Sequence, residues 1–177
     1  VRPGDLVPGT DTRYVGRTAE GAEFLVAGQR IVKQKADSLD WAGSPVPGVE
    51  LDLKLRIIWF TEDALYAAGK AELTISDVAP RASAIPGDAP LSYQAPVHYS
   101  VPVEGTLPGT TLTYEGEDAA GAQFSGVDGY PYRRQGDSLR WEGWVRSNVA
   151  VKHELRLVQH DEQSARLMGV VRLWIVP

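Results

Sequence analysis

The chain has 177 residues, 43% hydrophobic and 23% charged, a balance that fits one medium or two very small folded domains and excludes wholesale disorder. A net charge of −5 without a basic run argues against nucleic acid or an anionic membrane as partner. Cysteine is absent, which excludes disulfides, thiolate metal sites and cysteine nucleophiles, and no apolar stretch approaches the roughly 18 residues of a membrane span.

Period two dominates from the start. Short strands are predicted at 11–17, 22–27, 29–34 and 37–43, punctuated by Gly16, Gly21 and Gly28. They end on a Trp41-x-Gly43 unit, where a bend or bulge lets a sheet curl. Over 49–59, Val49, Leu51, Leu53, Leu55, Ile57 and Trp59 alternate with Glu50, Asp52, Lys54, Arg56 and Ile58, predicting a long strand with one apolar face. Thr61-Glu62-Asp63 makes a polar turn, and the chain returns through Leu65, Ala67, Gly69, Ala71, Leu73 and Ile75, so the pair reads as a long hairpin. Residues 78–100 carry Pro80, Pro86, Pro90 and Pro96 and read as a Pro/Ala-rich crossover, irregular or extended. No window sustains the apolar spacing of a helix.

The second half repeats the first at an offset of 100 without a gap. Pro8-Gly9-Thr10, Tyr14, Gly16, Gly21-Ala22 and Phe24 recur as Pro108-Gly109-Thr110, Tyr114, Gly116, Gly121-Ala122 and Phe124. Asp37-Ser38-Leu39, Trp41 and Gly43 recur as Asp137-Ser138-Leu139, Trp141 and Gly143. Chance similarity rarely keeps one register so long, so the repeat is real. The expected fold is all-β: an antiparallel barrel or flattened barrel of about 10–12 strands, from two tandem repeats (1–77 and 101–177) with pseudo-twofold symmetry. A competing arrangement makes each half its own small barrel. Joining the halves into one barrel is preferred, because a 77-residue unit has a poor surface-to-volume ratio.

Most catalytic constellations are missing. A nucleophilic triad needs Ser or Thr beside a base, yet the chain has only His98, His153 and His160 and no Gly-x-Ser-x-Gly elbow. His153 and His160 stand seven apart on one predicted strand, on opposite faces, so no metal site is expected. No phosphate loop occurs, and no cofactor is expected.

What remains is a set of polar and aromatic groups at core-like positions. His153 takes the apolar-face position that Leu53 holds in the first half, and Gln159 takes that of Trp59. His153 reads either as a core histidine bonded to a backbone carbonyl or as a polar group on a cavity wall, able to orient a ligand or move a proton. Tyr14 with Tyr114, Phe24 with Phe124 and Trp41 with Trp141 read either as core or as the lining of a cavity for a ring-shaped ligand. Tyr130-Pro131-Tyr132-Arg133-Arg134, found in the second half alone, suits a rim site or an ordinary edge strand. Asp37 and Asp137 look like turn caps, and Arg56 and Arg156 like partners in cross-strand ion pairs.

The segments Thr113-Tyr114-Glu115-Gly116 and Gly121-Ala122-Gln123-Phe124 resemble stretches of the small antiparallel barrels of the allene-oxide-cyclase-like and spirotetronate-cyclase-like proteins. That resemblance implies a closed barrel around an apolar substrate, with cyclisation as its activity. The leading expectation is therefore a cofactor-free barrel enclosing a small, mostly apolar molecule, as a cyclase or isomerase of a polyketide-like natural-product intermediate. His153 and Tyr114 are the catalytic candidates. Tyr14, Trp41, Trp59, Tyr130, Tyr132, Trp141 and Gln159 are the ligand-binding candidates. The alternative is a non-enzymatic β module acting in structure or protein contact. A homodimer fits either. A cytoplasmic location is favoured, or a secreted or cell-surface one if a leader has been removed.

Overall fold

The computed structural model describes residues 1–85 and 87–176. The chain divides into two compact units, Val1–Ser76 and Asp77–Pro177.

In the first unit, β1 (Arg13–Arg17), β2 (Ala22–Val26) and β3 (Gln29–Lys33) form one antiparallel sheet. β4 (Ser38–Val46), β5 (Val49–Phe60) and β6 (Leu65–Ile75) form a second. The second unit begins with β7 (Arg81–Ala82) and β8 (Leu91–Pro102). A small sheet of β9 (Thr113–Asp118), β10 (Gly121–Ser125) and β11 (Tyr132–Arg133) follows. The long meander of β12 (Ser138–Arg146), β13 (Val149–His160) and β14 (Ser164–Ile175) comes last, and β7 and β8 extend its two edges in the order β7-β12-β13-β14-β8.

The all-β, antiparallel expectation stands; the closed barrel does not. Among the described residues, every sheet is open: closure would need the first strand to pair with the last, whereas β4 and β6 end one sheet and β7 and β8 another. Described strands number fourteen rather than ten to twelve, because the proline-bearing stretch 78–100 contributes β7 and β8.

Strand pairing recurs 100 residues apart. Leu39 faces Leu55 and Leu139 faces Leu155; Trp41 faces Leu53 and Trp141 faces His153. Bulges interrupt the ladders between Ile57 and Trp59 and between Leu157 and Gln159. The core follows the apolar face that the period predicts: Val49, Leu51, Leu53 and Ile57 are buried in β5, and Val149, Val151, Leu155 and Leu157 in β13. The small sheets are anchored by an aromatic pair in each unit. Tyr14 and Phe24 lie 5.5 Å apart between ring centres, and Tyr114 and Phe124 lie 5.3 Å apart, all four fully buried.

The repeated Pro-Gly-Thr is a turn lock. Thr10 Oγ1 donates to the Val7 carbonyl and accepts from the Thr12 amide; Thr110 does the same with Leu107 and Leu112. Asp37 and Asp137 accept the amides of Gln34 and Arg134, closing the turns that precede β4 and β12.

Candidate functional site

Among the described residues, His153 is the only buried histidine and the most polar group in the core of its unit, 1% exposed. Period two places it on the inner face of β13, opposite Trp141 on β12 and Val171 on β14. Its ring sits edge-on to the Trp141 indole, with centres 6.1 Å apart, and 6.0 Å from the Tyr99 ring of β8. Neither ring nitrogen has a hydrogen-bond partner among the described residues. Burial lowers its pKa from the ordinary 6.5 to about 4, so the ring is neutral at pH 7. A neutral imidazole between two aromatic rings can accept or donate one hydrogen bond and can take up a proton only at acid pH.

Trp141 is buried, and its indole N–H donates to Thr111 Oγ1 at 2.9 Å. Its counterpart Trp41 is half-buried and donates to Asp11 Oδ1 at 2.8 Å. Both tyrosine hydroxyls of the repeat are engaged with backbone. Tyr114 donates to the Asp161 carbonyl at 2.7 Å and Tyr14 to the Thr61 carbonyl at 3.3 Å, each clasping the turn of the long hairpin. Tyr114 is pushed up to about 12, first by burial and then by the nearby charges of Glu117 and Asp161, so it stays a donor at neutral pH.

The remaining candidates stand elsewhere. Trp59 and Gln159, expected on the apolar face, are exposed. The bulge just before each inserts an extra residue, shifting them out of inward phase opposite Tyr66 and Arg166. Trp59 is 54% exposed and carries the Lys35 ammonium over its ring at 5.1 Å. Tyr130 is 66% exposed and Tyr132 half-buried; their rings lie tilted at 48° with centres 5.5 Å apart and converge with none of the buried candidates. Thus His153 and Trp141 are brought together; Tyr114, Trp59, Gln159, Tyr130 and Tyr132 do not join them.

Open grooves mark the surface. One of about 430 Å³ in the first unit is lined by Ala42, Ser44, Asp52 and Glu72 among others. One of about 560 Å³ in the second runs past Trp141, Arg140, Glu142 and Lys152. His153 lines neither. No group of three or more His, Asp or Glu side chains fit for a metal exists among the described residues. No helix there is long and apolar enough to cross a membrane.

Two features escape sequence reasoning. One is a surface pair, His160 Nδ1 with Glu117 Oε2 at 2.5 Å, whose members come from different sheets and have no shared motif. The other is the edge of β6. Its counterpart β14 is covered over twelve residues by β8, from Ser164 opposite Pro102 to Ile175 opposite Leu91. β6 ends its sheet, and among the described residues Val1 alone pairs with it there, exchanging both backbone hydrogen bonds with Leu65 at 2.9 and 2.7 Å.

No family model, no curated protein and no solved structure matches this chain.

Proposed function

We propose that this chain is a non-enzymatic tandem β module that acts through protein–protein contact. One observation carries the reading: the aromatic and phenolic groups that could have lined a ligand cavity are consumed by contacts within the fold. Tyr14 and Tyr114 are buried against phenylalanines and clasp backbone carbonyls, and Trp141 is tied to Thr111. Groups used in this way hold a fold together and are not free to orient a substrate. Native mass spectrometry of freshly purified protein tests it. The expected spectrum shows the bare chain; a stoichiometric organic molecule that leaves on denaturation overturns the reading.

A second reading keeps the enclosed apolar ligand, with cyclase or isomerase chemistry. It is favoured by His153, whose two ring nitrogens lack partners in a buried setting that normally demands one. The same spectrum decides between the two.

A further inference from the structure

The polar faces of the two long sheets carry opposite charges at equivalent positions. Even-numbered residues of β5 and β13 point away from the core, since Leu51, Leu53, Val151 and Leu155 fill it. Asp52 stands directly opposite Glu72 on the first face; at the same places on the second, Lys152 stands opposite Arg172. One row along, Lys54 opposite Lys70 becomes Glu154 opposite Val170, and Asp40 beside Lys54 becomes Arg140 beside Glu154. The sign is inverted at 40 and 140, 52 and 152, 54 and 154, and 72 and 172.

Like charges directly opposite each other weaken a sheet. Asp52 and Glu72 relieve this along their own strands, through Lys54 at 3.0 Å and Lys70 at 2.6 Å. Lys152 and Arg172 are served less well. Lys152 reaches Glu142 and Glu154 only at 3.9 and 3.8 Å. Arg172 is exposed, has no ion-pair partner among the described residues and donates to Gln94 Oε1 at 2.9 Å. Beside Arg172, β14 carries Val170 and the exposed Met168, an apolar strip where β6 has Lys70 and Ala68.

We propose that the charged face of the first unit docks on the oppositely charged face of the second unit in another copy of this chain, with β5 over β14 and β6 over β13. The inference rests on the protein-contact reading and names its partner. A half-turn about an axis parallel to the strands brings the two faces together with their rows level. Asp52 then meets Arg172, Glu72 meets Lys152 and Lys70 meets Glu154, while the stems of Lys54 and Arg56 cover Val170 and Met168. This register sets no like charges directly opposite. Two first-unit faces joined in the same way would set Asp52 against Glu72, and two second-unit faces Lys152 against Arg172, so the inversion rejects like pairs and selects unlike ones. Three strands at about 4.8 Å spacing and about 30 Å length give roughly 400 Å² a side, the range of weak, reversible contacts.

Sedimentation velocity of the full chain, from micromolar to millimolar concentration, tests it. The wild-type chain is expected to self-associate reversibly, and less so as salt screens the charges. Asp52→Lys with Glu72→Lys makes both faces basic, and Lys152→Glu with Arg172→Glu makes both acidic. Each double variant alone should associate at least about ten-fold more weakly while its melting temperature holds. An equimolar mixture of the two should associate again, since a basic face then meets an acidic one. A wild-type chain that stays monomeric over the whole range overturns the proposal. So does association that neither double variant weakens, or a mixture that fails to restore it. Failure here with a bare chain in the native spectrum removes the self-contact alone and leaves a different protein as partner; a retained organic molecule removes the protein-contact reading itself.

Discussion

Trp141 and His153 face each other across the β12–β13 ladder where Trp41 and Leu53 face each other across β4–β5. The first pair is buried on both sides; in the second the indole is half-buried. One substitution in the repeat, Leu to His at the centre of a strand, therefore installs a titratable group in an otherwise apolar layer without disturbing the register around it.

His153 makes the second unit acid-sensitive. Its folded pKa of about 4 lies below the ordinary 6.5, so the unfolded chain binds the proton first. Stability rises with pH where the unfolded state holds more protons, so this contribution is complete above pH 6.5 and is lost as pH falls towards 4. At pH 5 the loss is about 2 kcal/mol from this group alone. His153→Leu restores the first-half residue and removes two buried nitrogens without partners, so it is expected to stabilise the unit by about 1 kcal/mol or more at pH 7.5. The gain should grow by about 2 kcal/mol at pH 5. Urea midpoints of both proteins at the two pH values measure it; a gain that is flat with pH would mean that the ring is protonated or solvated in the fold.

Much of this architecture was legible because alternation encodes which way a side chain points. Val49 to Ile57 alternate strictly, and the buried face of β5 follows. The phase failed at Trp59 because a bulge adds one residue, and the apolar run Ile57-Ile58-Trp59-Phe60, which breaks alternation, marks the place. β8 was not singled out as a strand for a different reason. With its prolines, the stretch 78–100 read as an irregular or extended crossover; an edge strand tolerates proline where the N–H would face outward, and Leu91, Tyr93, Val97 and Tyr99 held the period throughout. The setting of His153 could not be read locally, since Trp141 and Tyr99 reach it from two other strands.

The Trp-x-Gly unit makes a second difference between the halves. A Cβ on Gly43 or Gly143 would stand 2.7 Å from the ring carbons of Trp41 or Trp141, so each glycine makes room for the indole two residues earlier. At Gly143 that Cβ would also meet the Arg81 carbonyl at 2.2 Å, because β7 pairs there. Backbone cannot yield as a half-buried ring can. Gly143→Ala should cost about 2 kcal/mol or more, and Gly43→Ala clearly less. Trp141→Ala should cost about 3–5 kcal/mol as a large-to-small core change, with Trp41→Ala again milder. Equal costs in both halves, read from denaturation midpoints, would show that β7 does not seal this edge.

The tyrosine clasps predict a graded pair. Tyr114→Phe removes the 2.7 Å bond to the Asp161 carbonyl and should cost about 1 kcal/mol; Tyr14→Phe removes the longer 3.3 Å bond and should cost less. Burial, then Glu117 and Asp161, raise the Tyr114 pKa, so the folded state favours the neutral phenol. Its contribution is intact below pH 10 and is lost as pH climbs towards 12. The wild-type chain should therefore lose more stability than Tyr114→Phe on going from pH 9 to 11. Parallel alkaline curves for the two proteins would detach the hydroxyl from the turn.

Amide exchange should separate β6 from β14 residue by residue. Val171 faces Ala95 inside a five-stranded sheet, and its outward backbone groups are met by β8; Ala71 holds the equivalent place on an open edge. An amide inside a ladder exchanges only when the strands part, while an edge amide exchanges from the native state, with an opening free energy near zero. Val171 should thus be slower than Ala71 by about a hundred-fold or more, which corresponds to about 2.7 kcal/mol of additional opening energy. Leu167 against Ala67 and Leu173 against Leu73 should show the same order. Within β6 alone the even-numbered Lys70 and Glu72, bonded to β5, should outlast Gly69 and Ala71, giving a two-residue alternation in protection. Uniform protection along β6 in the isolated chain would place another segment on its edge and contradict the strand order described for the first unit.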